Sequence, residues 1–296
     1  MKKRIILVLL VLILSASGCT EQKSVAKEEI ILATSLMTSG EELIEDIDFN
    51  YPTDAKNRLY ASKVSYEDAQ EILENITTED EEKKKIIETN IIICNYYIES
   101  IESQEHLADC YEHLSKAESY IYIEDYDKAH EELTLFSNAV SSASPNLENA
   151  KKLSDDIDMD VVPLELKPVL IYDRETMYNN LDIVSELQDL QLTMDYQITG
   201  LESYFKALDH MENKEWEQAE SRFYEAGSNL TSSRDILIEL QDSKYSEISI
   251  SAIENASVYD DLVTISDHFA LACGYMDDGK ESKAQEEIEL ALEELE

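Results

Sequence analysis

The chain is short of the residues that shape tight turns, with six glycines and four prolines in 296 residues. Strand-rich folds turn every few residues and draw on glycine or proline to do it, so a sandwich or barrel is excluded and the chain reads as all-α. Basic residues are scarce as well: 24 Lys and Arg stand against 65 Asp and Glu, a formal net charge of −41. A nucleic-acid partner requires a basic face, and anionic lipid headgroups repel a body this acidic. An acidic excess of this size serves solvation where salt screens self-repulsion, or marks a binder of cations or basic partners. Catalytic signatures are missing too. There is no phosphate-cradling glycine loop, no His-Glu-x-x-His helix and no nucleophile elbow, and carboxylates are so abundant that no pair stands out as acid and base. The chain is therefore read as a non-enzyme without a cofactor. Hydrophobic residues at 43% suffice for a folded core.

Long apolar runs are limited to one, the ten residues Ile5 to Leu14. In a helix these rise roughly 15 Å, about half of a bilayer's hydrocarbon core, which is too short for a permanent span. Lys2, Lys3 and Arg4 precede the run and Ser15-Ala16-Ser17-Gly18-Cys19 closes it, the three-part layout of a secretory signal. The small residues before Cys19 resemble the signal of prokaryotic lipoproteins, although Ala16 stands where that family usually carries a large aliphatic residue. The resemblance implies cleavage before Cys19, lipidation of its thiol, and an extracytoplasmic protein anchored to the cell membrane. The expected organisation is a signal peptide over 1–18, the lipidated cysteine and a polar tether over 19–27, an N-terminal helical region over 28–143, an acidic, proline-containing linker over 144–172 and a C-terminal helical region over 173–296.

Helical patterns fill the body. Ile30, Ile31, Leu36, Leu43, Ile44 and Ile47 predict a helix ending before Tyr51-Pro52. Ser65-Tyr66-Glu67-Asp68 and Thr78-Glu79-Asp80-Glu81 read as capping boxes, the second supported by Glu79–Lys83 and Glu81–Lys85 pairs. From there to Tyr122 neither proline nor glycine intervenes, and Ile86, Ile87, Ile91, Cys94, Tyr97, Ile98 and Ile101 form an apolar stripe. Ser141 to Pro145 reads as a break, and Pro163 and Pro168 follow. Further helices are expected over Arg174–Glu212, Glu215–Gln241 and Tyr245–Met276, and from Lys280.

One pattern returns three times with the same offsets. Ala117, Tyr120, Tyr126, Ala129, Leu133 and Phe136 match Ala207, His210, Trp216, Ala219, Phe223 and Ala226, then Ala272, Tyr275, Glu281, Ala284, Ile288 and Ala291. Tyr60, Tyr66, Ala69, Leu73 and Ile76 form a fainter copy. Small residues where two antiparallel helices approach, with large ones in the remaining holes, are what a helical hairpin requires. The set resembles the tetratricopeptide repeat, most closely at Lys214-Glu215-Trp216-Glu217-Gln218-Ala219, with Asp278-Gly279-Lys280 as the turn of the last copy. The resemblance implies antiparallel helical hairpins in a repeat-like bundle. The copies begin 90 and then 65 residues apart, where the family's tandem unit is about 34 residues, and the proline that closes each unit of the family is absent.

Several side chains are candidates for chemistry. His106, Cys110 and His113 fall at i, i+4 and i+7 on one helical stripe and have the side-chain types of a zinc or copper site, though the stripe also borders the apolar face of Leu107, Tyr111 and Leu114. Asp156-Ile157-Asp158-Met159-Asp160 begins like a calcium loop, but Val161 and Lys167 occupy the glycine and glutamate positions of an EF-hand, which excludes that form. Cys94 and Cys110 on one helix would lie about 24 Å apart, beyond the ~7 Å reach of a disulfide, so they and Cys273 are read as buried thiols unless a turn near Ser103 brings the first two together. Asn75, Asn229 and Asn255 each open a glycosylation sequon. Seventeen tyrosines accompany five phenylalanines and a single tryptophan; such rings line either core rims or recognition surfaces. Tyr120, Tyr126, Tyr204 and Trp216 are the expected protein-binding face. The chain is accordingly read as a lipid-anchored helical scaffold that binds an envelope or surface protein. A receptor for a cation or small solute, and a passive structural spacer, are the alternatives.

Overall fold

The computed structural model describes residues 21–294 apart from 46, 50, 163, 165 and 166. The signal segment and Cys19 lie outside the described residues. Among the described residues there are eight helices and no strand: α1 (Glu21–Ile44), α2 (Pro52–Glu74), α3 (Glu81–Tyr122), α4 (Tyr126–Asp156), α5 (Lys167–Glu212), α6 (Trp216–Leu240), α7 (Ser246–Asp277) and α8 (Glu281–Glu293). The all-α reading is correct, and no described helix is long and apolar enough to cross a membrane.

The helix ends correct four expectations. α1 starts at Glu21, so most of the segment expected as a tether is helical. α2 starts with Pro52 in its first turn, where a missing N–H costs nothing, and runs through the expected capping box at Ser65. Ser65 Oγ instead donates to the Ala61 carbonyl at 3.1 Å, because the buried stripe Ala55, Leu59, Ser62, Tyr66, Ala69 and Leu73 continues without a break. At α3 the cap is Asp80 and not Thr78: its carboxylate accepts from the Glu82 and Lys83 N–H groups at 3.2 and 3.4 Å, while Thr78 Oγ1 accepts from the Asp80 N–H. Lys83 pairs with Asp80 at 3.6 Å and Lys85 with Asp158 at 2.6 Å. Finally, Ser141–Pro145 is no break. Pro145 sits inside α4, with Val140, Ala143, Leu147 and Ala150 all buried around it. The proline removes a hydrogen bond to the Ser141 carbonyl, and burial on either side holds the helix together. Of the expected 144–172 linker, only 157–166 lies between helices.

Contacts divide the chain into two units, 1–112 with 138–184 and 113–137 with 185–296, where the sequence suggested consecutive halves. In the first unit α1 packs on α2. Gly40 lies so close to α2 that a Cβ there would stand 2.8 Å from the Tyr66 ring, and its carbonyl accepts from Ser62 Oγ at 2.7 Å. Lys56 bridges from α2 to Asp109 and Glu112 of α3 at 2.5 and 2.6 Å, and Lys63 reaches Glu102 at 2.5 Å. In the second unit α6 packs on α7 and α7 on α8. Its core joins Phe223 and Phe269, stacked at 5.3 Å, with Ala207, Ala219, Ile265, Cys273 and Ala291. Burial of a phenylalanine such as Phe223 stabilises by about 2–3 kcal/mol.

The three recurring hairpins end in the same turn. Glu124, Lys214 and Gly279, each seven residues after its alanine, adopt φ of 61°, 61° and 71°. Their N–H groups donate to Ile121, Met211 and Met276, and the N–H groups of Asp125, Glu215 and Lys280 donate to Tyr120, His210 and Tyr275. This pair of bonds is the Schellman closure, which favours a left-handed residue that glycine adopts most readily. Lys214→Gly and Glu124→Gly are therefore each expected to stabilise the fold by about 0.5–1 kcal/mol, and Gly279→Ala to destabilise it by a similar amount. Urea unfolding followed by far-ultraviolet circular dichroism reads all three variants; a loss of stability in the two glycine variants would refute the assigned strain.

Candidate protein-binding surface

The expected face assembles in the second unit around two helical hairpins. Tyr126, at the start of α4, packs with Tyr120 and Leu114 against a cluster of Ala117, Ala129, Leu133, Met194 and Ile198. Its ring stacks on Phe205 of α5 with centroids 6.2 Å apart. Tyr204 meets Phe205 edge-on at 5.8 Å, and meets Phe223 and Phe269 at 5.4 and 6.4 Å. Trp216 and Tyr204 pack against the same Phe223–Phe269 core. Tyr126, Tyr204 and Trp216 are thus half-buried rims of two cores. The surface member of the group is Phe205, 37% exposed, which sequence reasoning passed over. The adjacent aromatic pair Tyr204-Phe205 was its only sequence signal, since on a helix two neighbours project about 100° apart and one faces outward.

The surroundings of this patch carry both signs of charge: Glu124 and Glu202 lie near Tyr126, and Lys206 pairs with Glu202. Burial, followed by the charges of Glu124 and Glu202, pushes the Tyr126 hydroxyl up to about 12. Lys128 lies over the Tyr120 ring at 5.2 Å, and Lys283 over Tyr275 at 5.3 Å in the third hairpin. The same two hairpins share another pair. His113 Nδ1–H donates to Glu132 and His268 Nδ1–H to Glu287, each at 2.7 Å. These residues sit at equal offsets from the seam alanines, and join the two helices of each hairpin.

The remaining expected sites lie on separate elements of the fold. Among the described residues no group of three or more His, Cys, Asp or Glu is placed to hold a metal. His106, Cys110 and His113 share α3, but Cys110 is buried in packing and His113 is engaged by Glu132. Asp158 is held by Lys85 and by the Asp160 N–H at 2.9 Å, and the Lys85 ammonium holds its carboxyl below the usual range. Asn75 is exposed at the end of α2, whereas Asn229 and Asn255 lie inside α6 and α7 and not in the surface loops where sequons are used. Asn229 Nδ2 donates to the Glu225 carbonyl at 2.9 Å. Cys94, Cys110 and Cys273 are buried free thiols, the first two on the single helix α3. No protein-family model matches the chain, nor does any curated protein or solved structure.

The thiols and phenols give the fold a defined alkaline limit. Burial pushes Cys94 and Cys110 up to about 12 and Cys273 up to about 11. Burial likewise raises Tyr126 and Tyr259 to about 12. Groups whose folded pKa is raised hold protons more tightly in the folded state, so their contribution is complete below the unfolded pKa and is lost as pH rises past it. Stability is expected to fall from about pH 9, where unfolded thiols ionise, and more steeply beyond pH 10, where unfolded tyrosines do. A thiol reagent such as Ellman's should leave all three body cysteines unmodified at pH 8 and titrate them in urea; rapid reaction of the folded protein would overturn their burial.

Proposed function

We propose that this chain is an extracytoplasmic helical-repeat module, held at the cell membrane by lipid on Cys19, which binds another protein of the envelope or surface and catalyses no reaction. The exposed Phe205, braced by Tyr126 and Tyr204, is the observation that supports this reading most directly. Aromatic rings that are rigid before association lose little entropy on burial and dominate the energetics of many interfaces. Glu124 lies beside Tyr126 and Glu202 is paired with Lys206, the neighbour of Phe205, so an apolar anchor on the partner is the main complement of this patch. The absence of a basic face, in a chain of net charge −41, argues against nucleic acid.

Crosslinking and capture from native membranes tests the reading, with the intact chain as bait and Cys19→Ala as the unanchored control. One protein is expected to be captured stoichiometrically. Phe205→Ser, at a partly exposed position that costs the fold little, should weaken capture by tenfold or more, the range of a central aromatic anchor. Equal capture by the Phe205→Ser and unaltered chains, with both folded by circular dichroism, would remove this face from the reading. Capture of no protein by the anchored bait would remove the function.

A further inference from the structure

Two small cavities among the described residues of the first unit share Tyr97 in their walls. The larger, about 80 Å³, has an apolar part formed by Ile44, Ile101, Leu147 and Met177. Tyr96, Tyr97, Ser100 and Asp173 contribute its aromatic and acidic part, and Ser103, Gln104, Thr176 and Asn180 add neutral polar groups. The smaller, about 60 Å³, is lined by Tyr66, Asn90 and Tyr97 among others. Tyr97 stacks on Tyr66 at 4.8 Å and meets Tyr96 edge-on at 5.0 Å, so three rings cluster around these spaces.

Among the described residues, Asp173 is the one carboxylate bordering the larger cavity. It accepts a hydrogen bond from the Tyr97 hydroxyl, and no Lys, Arg or His of the described residues pairs with it. Arg174, its neighbour in sequence, directs its guanidinium to Asp155 at 3.7 Å. Loss of water raises the Asp173 pKa, opposed by the Tyr97 hydrogen bond. Ser100, 8% exposed, stands beside the Tyr96 phenol on the same wall, yet no hydrogen bond of normal geometry satisfies its Oγ. A carboxylate drawn from water usually has a cationic partner, and an unsatisfied buried hydroxyl usually has a polar one.

The wall selects among cations. Calcium and magnesium sites gather several oxygen ligands, carboxylates foremost, whereas this wall offers a single carboxylate and among the described residues no three His, Cys, Asp or Glu come together to hold a metal. An organic ammonium carries its own apolar groups and is attracted by the faces of aromatic rings. The volume is far below the ~300–1,000 Å³ of a drug-sized pocket, and therefore suits a single headgroup. We propose that the larger cavity binds a small organic ammonium ion, with its charge on Asp173 and its carbon groups against Tyr96, Tyr97 and the apolar wall. This site lies within one unit, separate from the Phe205 patch.

Calorimetric titration of the full chain with tetramethylammonium chloride tests the site, with ionic strength held constant by sodium chloride so that general screening of the acidic surface is the same throughout. The expected result is saturable binding at one ion per chain. Choline should bind as well, and its uncharged isostere 3,3-dimethylbutanol at least tenfold more weakly. Asp173→Asn should weaken tetramethylammonium binding at least tenfold, whereas Asp68→Asn, an equal charge change at an exposed position of α2, should leave it unaltered. Non-saturable uptake, equal binding of the uncharged isostere, or equal losses in the two variants would each overturn the proposal. If Asp173→Asn does not fold, nuclear Overhauser contacts between the ligand methyls and the rings of Tyr96 or Tyr97 in the unaltered chain decide the matter, and their absence overturns it.

Discussion

The close approach of paired helices at positions where only a small side chain fits is the constraint on which the rest of this structure depends. Ala117 and Ala129, Ala207 and Ala219, and Ala272 and Ala284 are all withdrawn from solvent, and Gly40 and Gly200 each lie against a large residue, Tyr66 and Leu230, that a methyl group would strike at 2.8 and 2.9 Å. A methyl or a hydrogen at the crossing lets two backbones come together, and the larger residues one turn away then fill the space on either side. The aromatic packing of the second unit follows from this. Phe223, Phe269 and Tyr204 meet because the alanines beside them do not hold the helices apart.

Charge acts as a counterweight. With 65 acids and 24 bases the chain repels itself, and part of its small supply of cations is placed between helices. Lys56 and Lys63 fasten α2 to α3, and Lys85 fastens α3 to the segment after α4. Partly exposed pairs of this kind contribute little individually. Their placement matters more, because each puts a positive charge where two acidic helix faces would otherwise confront one another. His113 and His268 also join paired helices, each through a hydrogen bond to a glutamate of the facing helix.

Much of the architecture was legible because helical periodicity and scarcity of turn residues point the same way. The long α3, the hairpin offsets and the buried state of Cys94 and Cys110 all follow from spacing along one helix. The misreadings share a cause. Ser65 and the run Ser141 to Pro145 carry local chemistry that favours a helix end, and in both places a continuous buried stripe overrode it. Thr78 heads the capping pattern along the chain, yet Asp80 two residues later provides the cap. Of the aromatic face, Tyr126, Tyr204 and Trp216 were visible through their hairpin positions, but Phe205 was not, since its role depends on which flank of α5 meets α4. The pairing of Tyr97 with Asp173 spans 76 residues, and no pattern along the chain connects two residues at that separation.

The identical closure at Glu124, Lys214 and Gly279 carries a consequence for how such a protein can change. Three different residues occupy one strained backbone position, so the geometry is imposed by the helices that flank it and not by the residue in the turn. A hairpin with that property sets its own bend. It can be duplicated, exchanged with a sibling or given new surface residues without renegotiating its own bend, which makes the outward-facing positions free to diverge while the seam stays as it is.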